Sequence, residues 1–503
     1  MSGVGRVDSR RRRPGRLGLP ALGGALFTCA IATASLVWGA PAADAATVDV
    51  RAACTASQTV GTVITLTADC ATTDNLTIPD GFTLNGAGHT ITATDTPAVP
   101  LLGPIIGNAG STMFIENLTV VGDLHAAAPN PAASNAPFFG IRFLSASGSL
   151  TNVTVTGITR QQTYNFGQAI LVDATAGGPQ TVTVTGVHVS DFQKNGLTAN
   201  GQATMNVTGS TIGPPDLTIP PNFTPPSTGG IAQNSVQYFN SGGTFSANTV
   251  VTYTADNSVS SSTGMLLFTA NNLTVDHNTI TGPNGADTGI NVTGGTNVTI
   301  SYNSLSRSAI APPQHDNFGF GAAGYSGAAA TTTLICNTFA GWKQNLLSLT
   351  QAPCIVTEHL PDGTVGGPYS SVIEATTENP NPELTWTIEA GTFPPGLTLN
   401  SNGTITGTPT TEGTYTFTAR VSDPVDGTAT REYTIRIGAA IPTPTPTSTG
   451  APSNAGPGAS VNTGGTLASS DSPTSAWILA ITAGAAGGLL LTMRWVRRRQ
   501  RRG

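Results

Sequence analysis

The chain has 503 residues, of which only 10% are charged, compared with about 25% in an ordinary soluble domain. This composition disfavours an all-α protein, and short alternating runs of Val, Ile and Leu among 60 Gly and 35 Pro predict β cores. Of the 21 basic residues, 12 lie in the two terminal segments, which leaves residues 46–474 strongly acidic and disfavours nucleic acid as a partner.

Residues 1–45 have the pattern of a secretory signal peptide. An arginine-rich start precedes an apolar stretch, and the small residues Ala43 and Ala45 mark a cleavage site. We therefore expect the mature chain to begin at Ala46, outside the cytoplasm. The run SRRRRPGRL is compatible with both the general secretory route and the twin-arginine route.

Residues 46–354 are predicted to form a solenoid of β-strands. Segments such as ANNLTVDHNTITG and TNVTISYNSLS recur through this region without helical periodicity. Asn248 to Asn272 is 24 residues and Asn272 to Asn297 is 25, which predicts one β coil per repeat. Coils stacked about 4.8 Å apart would bury their apolar positions in one continuous core.

Asn278, Asn303 and Asn337 occur in the same local pattern, x-Asn-x-[Ile/Leu/Phe], at the predicted bend of successive coils. Asparagine tolerates tight turns, and stacked amides can hydrogen-bond from one coil to the next. We expect these three residues to be structural rather than catalytic.

The repeats resemble those of the right-handed parallel β-helix proteins in the pectate-lyase-like superfamily. The segment NLTIPDGFTLNGAGHTITATD, from Asn75, is similar to the family's first coil, and the LTVxxNxITG segments are similar to its body. The resemblance covers most of residues 46–354. It implies the fold and says little about chemistry.

Four cysteines remain after removal of the signal peptide with its Cys29, namely Cys54, Cys70, Cys336 and Cys354. Export places them in an oxidising compartment, where disulfides form. Four cysteines allow three connectivities, and only the pairs Cys54 with Cys70 and Cys336 with Cys354 avoid joining the two ends of a rod. We therefore predict these two local disulfides.

Residues 355–438 have the frequent turn signals of a β-sandwich. They resemble the immunoglobulin-like domains of the bacterial cadherin-like group through the segments FPPGL, GTITGTP and GTYTFT. Trp386, Tyr415 and Phe417 are expected in the core. The resemblance to cadherins raises calcium, with Asp423 and Asp426 as candidate ligands, whereas turn formation by both aspartates is the alternative.

The C-terminal region predicts a membrane anchor. Residues 439–474 are expected to be a disordered stalk of Pro, Thr, Gly and Ser, residues 475–495 one transmembrane helix, and residues 496–503 a basic cytoplasmic tail. The fold class is thus all-β, a parallel β-helix followed by an immunoglobulin-like sandwich, with one C-terminal helix. The bulk of the protein is expected on the extracellular face of the cell membrane.

A short segment before the apolar span resembles the sorting signal of sortase-anchored Gram-positive surface proteins. It consists of Leu467, Ala468, Ser469, Ser470 and Asp471. Ser470 and Asp471 depart from the Thr and Gly of that signal, so a plain single-pass anchor is the alternative.

Three long insertions, residues 125–139, 213–234 and 308–330, interrupt the repeats and would wall a groove if they left the coil at one corner. The third holds the candidate catalytic residues His315 and Asp316 and the candidate binding residues Phe318, Phe320 and Tyr325.

The β-helix region lacks the Asp-Asp pair and the Gly-His-Gly motif of the family's hydrolases. The sequence therefore favours adhesion, or binding of a glycan, a cell-wall polymer or another surface protein, over catalysis. The alternative is a polysaccharide lyase or glycoside hydrolase that uses the insertions as its groove. No cofactor other than calcium is expected.

Overall fold

The computed structural model describes residues 47–95, 101–123, 138–159, 167–213, 234–252, 263–282, 287–308, 320–325, 327–328 and 331–440. The predicted signal peptide, transmembrane helix and sorting-like segment lie outside these residues, as does nearly all of the predicted stalk. Within the described residues, no helix is both long enough and apolar enough to cross a membrane.

The region between residues 47 and 352 is a parallel β-helix, as predicted. Successive segments of each coil join three sheets, here named A, B and C in chain order. Sheet A contains Thr47–Asp49, Asn75–Ile78, Gly103–Asn108, Phe138–Leu144, Gln168–Ala174, Asn195–Gly201, Asn234–Phe239, Thr263–Phe268, Thr288–Thr293, Phe320–Tyr325 and Gln344–Leu347. Sheet B contains Ser57–Val60, Val63–Leu66, Thr83–Asn85, Thr112–Glu116, Ser147–Thr151, Gln180–Thr185, Ala203–Thr208, Gly243–Ser246, Asn271–Asp276, Thr296–Ser301, Thr332–Ile335 and Gln351–Ala352. Sheet C contains Cys70–Thr72, Thr90–Thr94, Thr119–Asp123, Thr154–Thr156, His188–Val189, Thr211–Ile212, Thr249–Val251, Thr279–Gly282, Ser304–Arg307 and Thr338–Ala340.

The core of the β-helix consists of apolar residues stacked in register. One such row in sheet A is Ile170, Leu197, Val236, Met265 and Ile290, whose side chains are all fully buried. Burying a side chain of this kind contributes about 1.5–3 kcal/mol. Because side chains alternate between the two faces of a strand, the residues next to this row project from the outer face of sheet A.

The predicted asparagine ladder is confirmed at the bend between sheets B and C. The Asn278 Nδ2 donates to Asn303 Oδ1 at 2.8 Å, and Asn303 Nδ2 donates to Asn337 Oδ1 at 2.9 Å. The ladder also extends to Asn248 on one side and to Gln351 on the other. All five side chains are buried, so the ladder satisfies polar groups that water does not reach.

The repeat step expected from Asn248 to Asn272 is wrong, whereas the 25-residue step from Asn272 to Asn297 is one coil, as predicted. Asn248 accompanies Asn278, which lies 30 residues later, at the bend between sheets B and C. Asn297 instead donates to Asn272, 25 residues earlier, at the start of the sheet B strands. Asn248 and Asn272 lie at different bends, because these coils carry asparagine at both.

Both predicted disulfides are present. Cys54 pairs with Cys70 in the first coil, beside the short helix Val50–Ala53, and Cys336 pairs with Cys354 at the last coils. Each closes a short loop, with sequence separations of 16 and 18 residues. Such a loop contributes about 3 kcal/mol in the chain-entropy model. The two bonds therefore stabilise the two ends of the β-helix.

Residues 354–438 form the immunoglobulin-like sandwich. Its strands are Cys354–Ile355, Gly363–Thr364, Tyr369–Val372, Ala375–Thr376, Thr385–Gly391, Leu397–Leu399, Thr404–Gly407, Gly413–Asp423 and Gly427–Gly438. Trp386 and Phe417 are buried in its core as predicted, Tyr415 packs at its margin, and Tyr433 joins the core although it was not predicted. The domain contacts the last coil, where Asn345 Nδ2 donates to Glu378 Oε2 at 2.7 Å.

Candidate functional site

The long insertions leave the β-helix at one corner. The flanks of residues 125–139 and of residues 213–234 are a strand of sheet C before the insertion and a strand of sheet A after it. The third insertion follows the same connection but is shorter than predicted, because Phe320–Tyr325 is itself a strand of sheet A. All three insertions therefore connect sheet C to sheet A, with residues 308–319 as the third connection.

A glycine near the start of many sheet A strands shapes the outer face beside this corner. A Cβ at Gly264 would lie 2.6 Å from the Gly289 carbonyl oxygen, and a Cβ at Gly289 would lie 2.6 Å from the Gly321 oxygen. A side chain would therefore collide with the next coil. Two coils before Gly264, a Cβ at Gly196 would point into the core toward Ile212, so the preceding residue, Asn195, faces outward.

This outer face of sheet A, between residues 139 and 325, is named the sheet A face. Its centre is a cluster of polar side chains. Asn195 Nδ2 donates to Thr198 Oγ1 and to Gln237 Oε1, both at 3.1 Å, and Asn234 Nδ2 donates to Asn195 Oδ1 at 3.2 Å. Asn195, Thr198 and Asn234 are buried, so these hydrogen bonds hold the amides in fixed orientations.

Three acceptor atoms in this part of the molecule are buried without a hydrogen-bond partner among the described residues. They are Gln168 Oε1 and Asn200 Oδ1, on the sheet A face, and Thr252 Oγ1, at the corner. Buried polar atoms are nearly always satisfied in folded proteins. These atoms therefore mark a place where a ligand or ordered water can donate hydrogen bonds.

An in-register row of side chains runs along the face beside the amide cluster. The row is Asp173, Asn200, Phe239, Phe268, Thr293 and Tyr325. The rings of Phe239 and Phe268 stack in parallel with centroids 5.3 Å apart, and Tyr325 is 38% exposed. At a coil spacing of about 4.8 Å, the row is roughly 24 Å long.

One arginine, Arg142, lies on the sheet A face, and another, Arg307, ends a strand of sheet C at the corner. Arg142 Nη2 donates to Asp173 Oδ2 at 2.8 Å, and its guanidinium lies over the ring of Phe139. Burial lowers the pKa of Arg307, and the charge of nearby Asp287 opposes that change. Each of these two arginines thus lies near an aspartate of opposite charge.

Lys194 lies beside Asn195 at the corner. Desolvation by burial lowers the pKa of its amine to about 8, because the charged form loses contact with water. Near neutral pH a small fraction of the amine is therefore uncharged, which is the form that accepts a proton.

The predicted site residues divide into two groups. His315, Asp316 and Phe318 lie outside the described residues. Phe320 and Tyr325 lie at the two ends of one sheet A strand, in register with Thr288 and Thr293. The sequence analysis missed the polar cluster around Asn195, although a polar residue followed by Gly and an apolar residue, as in NGL, TGM and TGI, recurs at this position.

Asp423 and Asp426, the candidate calcium ligands, form hydrogen bonds within the sandwich. The Asp423 carboxylate accepts from the backbone N–H groups of Asp426, Val425 and Glu383, which lowers its pKa. Asp426 accepts from the hydroxyl of Thr377. This arrangement favours the turn-forming alternative, and no group of three or more metal-binding side chains occurs within the described ranges. Calcium binding stays a prediction.

Comparison with known proteins identifies the second domain. Residues 352–438 match the family model described as "Putative Ig domain". Part of the chain is similar to a protein from Bacteroides fragilis described as a "putative alpha-galactosidase/melibiase", at 31% identity, with 17% of each chain covered and a TM-score of 0.15. This chain thus spans about a sixth of that protein. No curated protein sequence matches the chain.

Solved β-helix structures match a larger share of the chain with low identity. A tailspike protein of an Escherichia coli bacteriophage is 10% identical, with 75% of this chain and 59% of the tailspike covered and a TM-score of 0.38. The A-module of a mannuronan C-5 epimerase from Azotobacter vinelandii is 15% identical, with 58% and 89% covered and a TM-score of 0.27.

Proposed function

We propose that this protein is a cell-surface glycan-binding protein that holds a polysaccharide along the sheet A face. The observation that supports this most strongly is the in-register row that places the stacked rings of Phe239 and Phe268 next to the unsatisfied acceptor of Asn200. Sugars present apolar C–H surfaces together with hydroxyl donors, and these two features complement each other.

The shape of the site supports a polymer rather than a single sugar. The row extends along the β-helix axis for roughly 24 Å at the usual coil spacing. The strands that flank the three insertions connect sheet C to sheet A, at the edge of the sheet that carries this row. Successive sugar units would thus meet successive coils.

The terminal sequence patterns support display at the cell surface. An export signal, a stalk and an apolar span followed by six arginines would hold the β-helix outside the membrane. Deletion of residues 476–503 should release the protein into the medium. Retention of the truncated protein on the membrane would contradict this part of the proposal.

The binding face is tested by removing its rings. Phe239→Ala with Phe268→Ala should weaken binding on a glycan array of bacterial and plant polysaccharides by at least about tenfold, because each stacked ring contributes about 1 kcal/mol. Phe114→Ala is the matched control, since Phe114 lies in register with Thr83 and Ser149 on sheet B. Equal binding by both variants, or no binding by the wild type, would refute the proposed face.

One observation favours the polysaccharide lyase alternative. A lyase needs a base that removes a proton next to a carboxyl group, and Lys194 has a lowered pKa at the edge of the face. Incubation with acidic polysaccharides, followed by detection of unsaturated products, tests this function. Product formation that disappears in Lys194→Met would establish it, and no product is expected for a binding protein.

A further inference from the structure

We infer that the ligand of the sheet A face is an uncharged glycan rich in N–H and O–H donors, an N-acetylhexosamine polymer, rather than an acidic polysaccharide. This inference rests on the proposed function and specifies its ligand. It follows from three properties of the face, which are the type of its unsatisfied atoms, the pairing of its charges and the spacing of its amide and apolar groups.

Two buried amide oxygens of the face lack a hydrogen-bond donor within the described part of the chain. Both hydrogens of Asn195 Nδ2 are used within the face, by Thr198 and Gln237. Gln168 Oε1 and Asn200 Oδ1 lack donors among the described residues. A carboxylate only accepts hydrogen bonds, so the charged group of an acidic sugar cannot supply this donor and leaves it to the hydroxyls. A hydroxyl or an acetamido N–H supplies the missing donor.

The guanidinium of Arg142 on this face already has a counterion. Arg142 pairs with Asp173, whose carboxylate also accepts from the hydroxyl of Thr175 at 2.6 Å. The side chains of Arg142 and Asp173 are 13% and 1% exposed, so this pair is largely shielded from water. A polyanion would compete with Asp173 for the guanidinium and would approach a chain region with excess negative charge. An uncharged polymer meets neither penalty.

Amide and apolar side chains alternate along the face. Gln237, Leu266 and Asn291 occupy one in-register row on consecutive coils. Phe268 lies in the neighbouring row on the same strand as Leu266. An acetamido group combines an N–H donor, a carbonyl acceptor and a methyl group, and this combination fits two amides separated by an apolar contact.

The test compares three probes of equal length with the full-length chain. Chitin oligosaccharides carry the acetamido group, cellulose oligosaccharides have the same linkage without it, and oligogalacturonates carry carboxylates. Titration calorimetry should show chitin oligosaccharides bound at least about tenfold more tightly than both other probes. A tenfold difference in affinity corresponds to the net contribution of one buried hydrogen bond between neutral groups. Tighter or equal binding of cellulose oligosaccharides or oligogalacturonates would overturn the inference and leave glycan binding intact.

Variants at Asn200 test whether its side chain contributes to the binding of chitin oligosaccharides. Asn200→Leu removes the unsatisfied acceptor and should weaken chitin-oligosaccharide binding about tenfold, whereas Asn200→Gln keeps an uncharged amide acceptor and should stay within about threefold of the wild type. The matched control is Asn206→Leu on sheet B, where Asn206 Oδ1 accepts from Thr244 N. Equal losses in Asn200→Leu and Asn206→Leu, or unchanged binding in Asn200→Leu, would overturn the inference. Failure of all three probes together with the glycan array would instead refute the proposed function.

Discussion

Replacement of Asn303 by Ala should sharply destabilise the β-helix. The Asn303 amide makes four hydrogen bonds, all within a side chain that is 1% exposed. Its Oδ1 accepts from the backbone N–H and the Nδ2 of Asn278, and its Nδ2 donates to Val275 O and Asn337 Oδ1. Removal of the amide leaves the Asn278 N–H and the Val275 carbonyl buried without their partner. A buried unsatisfied group costs about 1–3 kcal/mol, so we expect a total loss of about 4 kcal/mol.

The matched control for this prediction is Asn297→Gly. Asn297 makes one ladder hydrogen bond, to Asn272 at 2.9 Å, but its side chain is exposed to water. Its φ of 53° is a left-handed conformation, which Gly retains without strain. The expected loss is below about 1 kcal/mol because water replaces the bond.

The assay must resolve single coils, because solenoids can unfold in parts. Urea unfolding gives the global loss, and native-state hydrogen exchange at the amides of Asn278 and Val298 reports the local one. Exchange in Asn303→Ala should accelerate most in the coils on either side of the substitution. A loss in Asn303→Ala no greater than that in Asn297→Gly would refute the argument that buried ladder amides stabilise the coil.

Three further predictions follow from titration, turn geometry and covalent bonding. Burial lowers the pKa of Lys194 from 10.5 to about 8, so between these pH values the folded protein binds fewer protons than the unfolded protein. The stability of the wild type should therefore rise with pH across that interval by about 3 kcal/mol relative to Lys194→Met. Parallel stability profiles of the two proteins in urea unfolding would contradict this. The pKa of Asp423 is lowered in the folded protein, so its carboxylate stabilises the sandwich at pH values above its unfolded pKa of 3.8. Asp423→Asn should therefore lower the melting temperature at neutral pH, and the difference from the wild type should disappear in acid. A difference that persists in acid would exclude this explanation. Removal of calcium with EDTA should leave the melting temperature of the sandwich unchanged. The reason is that the carboxylates of Asp423 and Asp426 already accept hydrogen bonds from N–H and O–H donors of the domain. A fall in melting temperature would show a calcium site.

Much of the fold was predictable because it repeats. Alternating apolar residues and the recurring Asn278, Asn303 and Asn337 specify coils, and the positions of the four remaining cysteines specify two local disulfides. The register was harder, because asparagines at two bends look alike in one dimension. Only the hydrogen bonds distinguish Asn248, which stacks toward Asn278, from Asn272, which stacks toward Asn297.

The candidate site was only partly predictable. Phe320 and Tyr325 stood out as aromatic residues near an insertion, and both lie on the sheet A face. Asn195 and Gln237 did not stand out, since they are 42 residues apart and meet only through coil stacking. The outward direction of Asn195 further depends on the inward glycine that follows it, which changes the simple alternation of the strand.

The disulfide between Cys336 and Cys354 determines how a pull on the sandwich would reach the β-helix. Bonds between parallel coils run along the axis, so axial tension tends to peel coils from the end one at a time. Tension arriving at Cys354 passes through the sulfur atoms directly to Cys336 and bypasses the chain between them. The strand Gln351–Ala352, which lies in this covalent loop, is therefore relieved of tension that arrives along the chain. Such tension would act on the penultimate coil rather than on the short last strand.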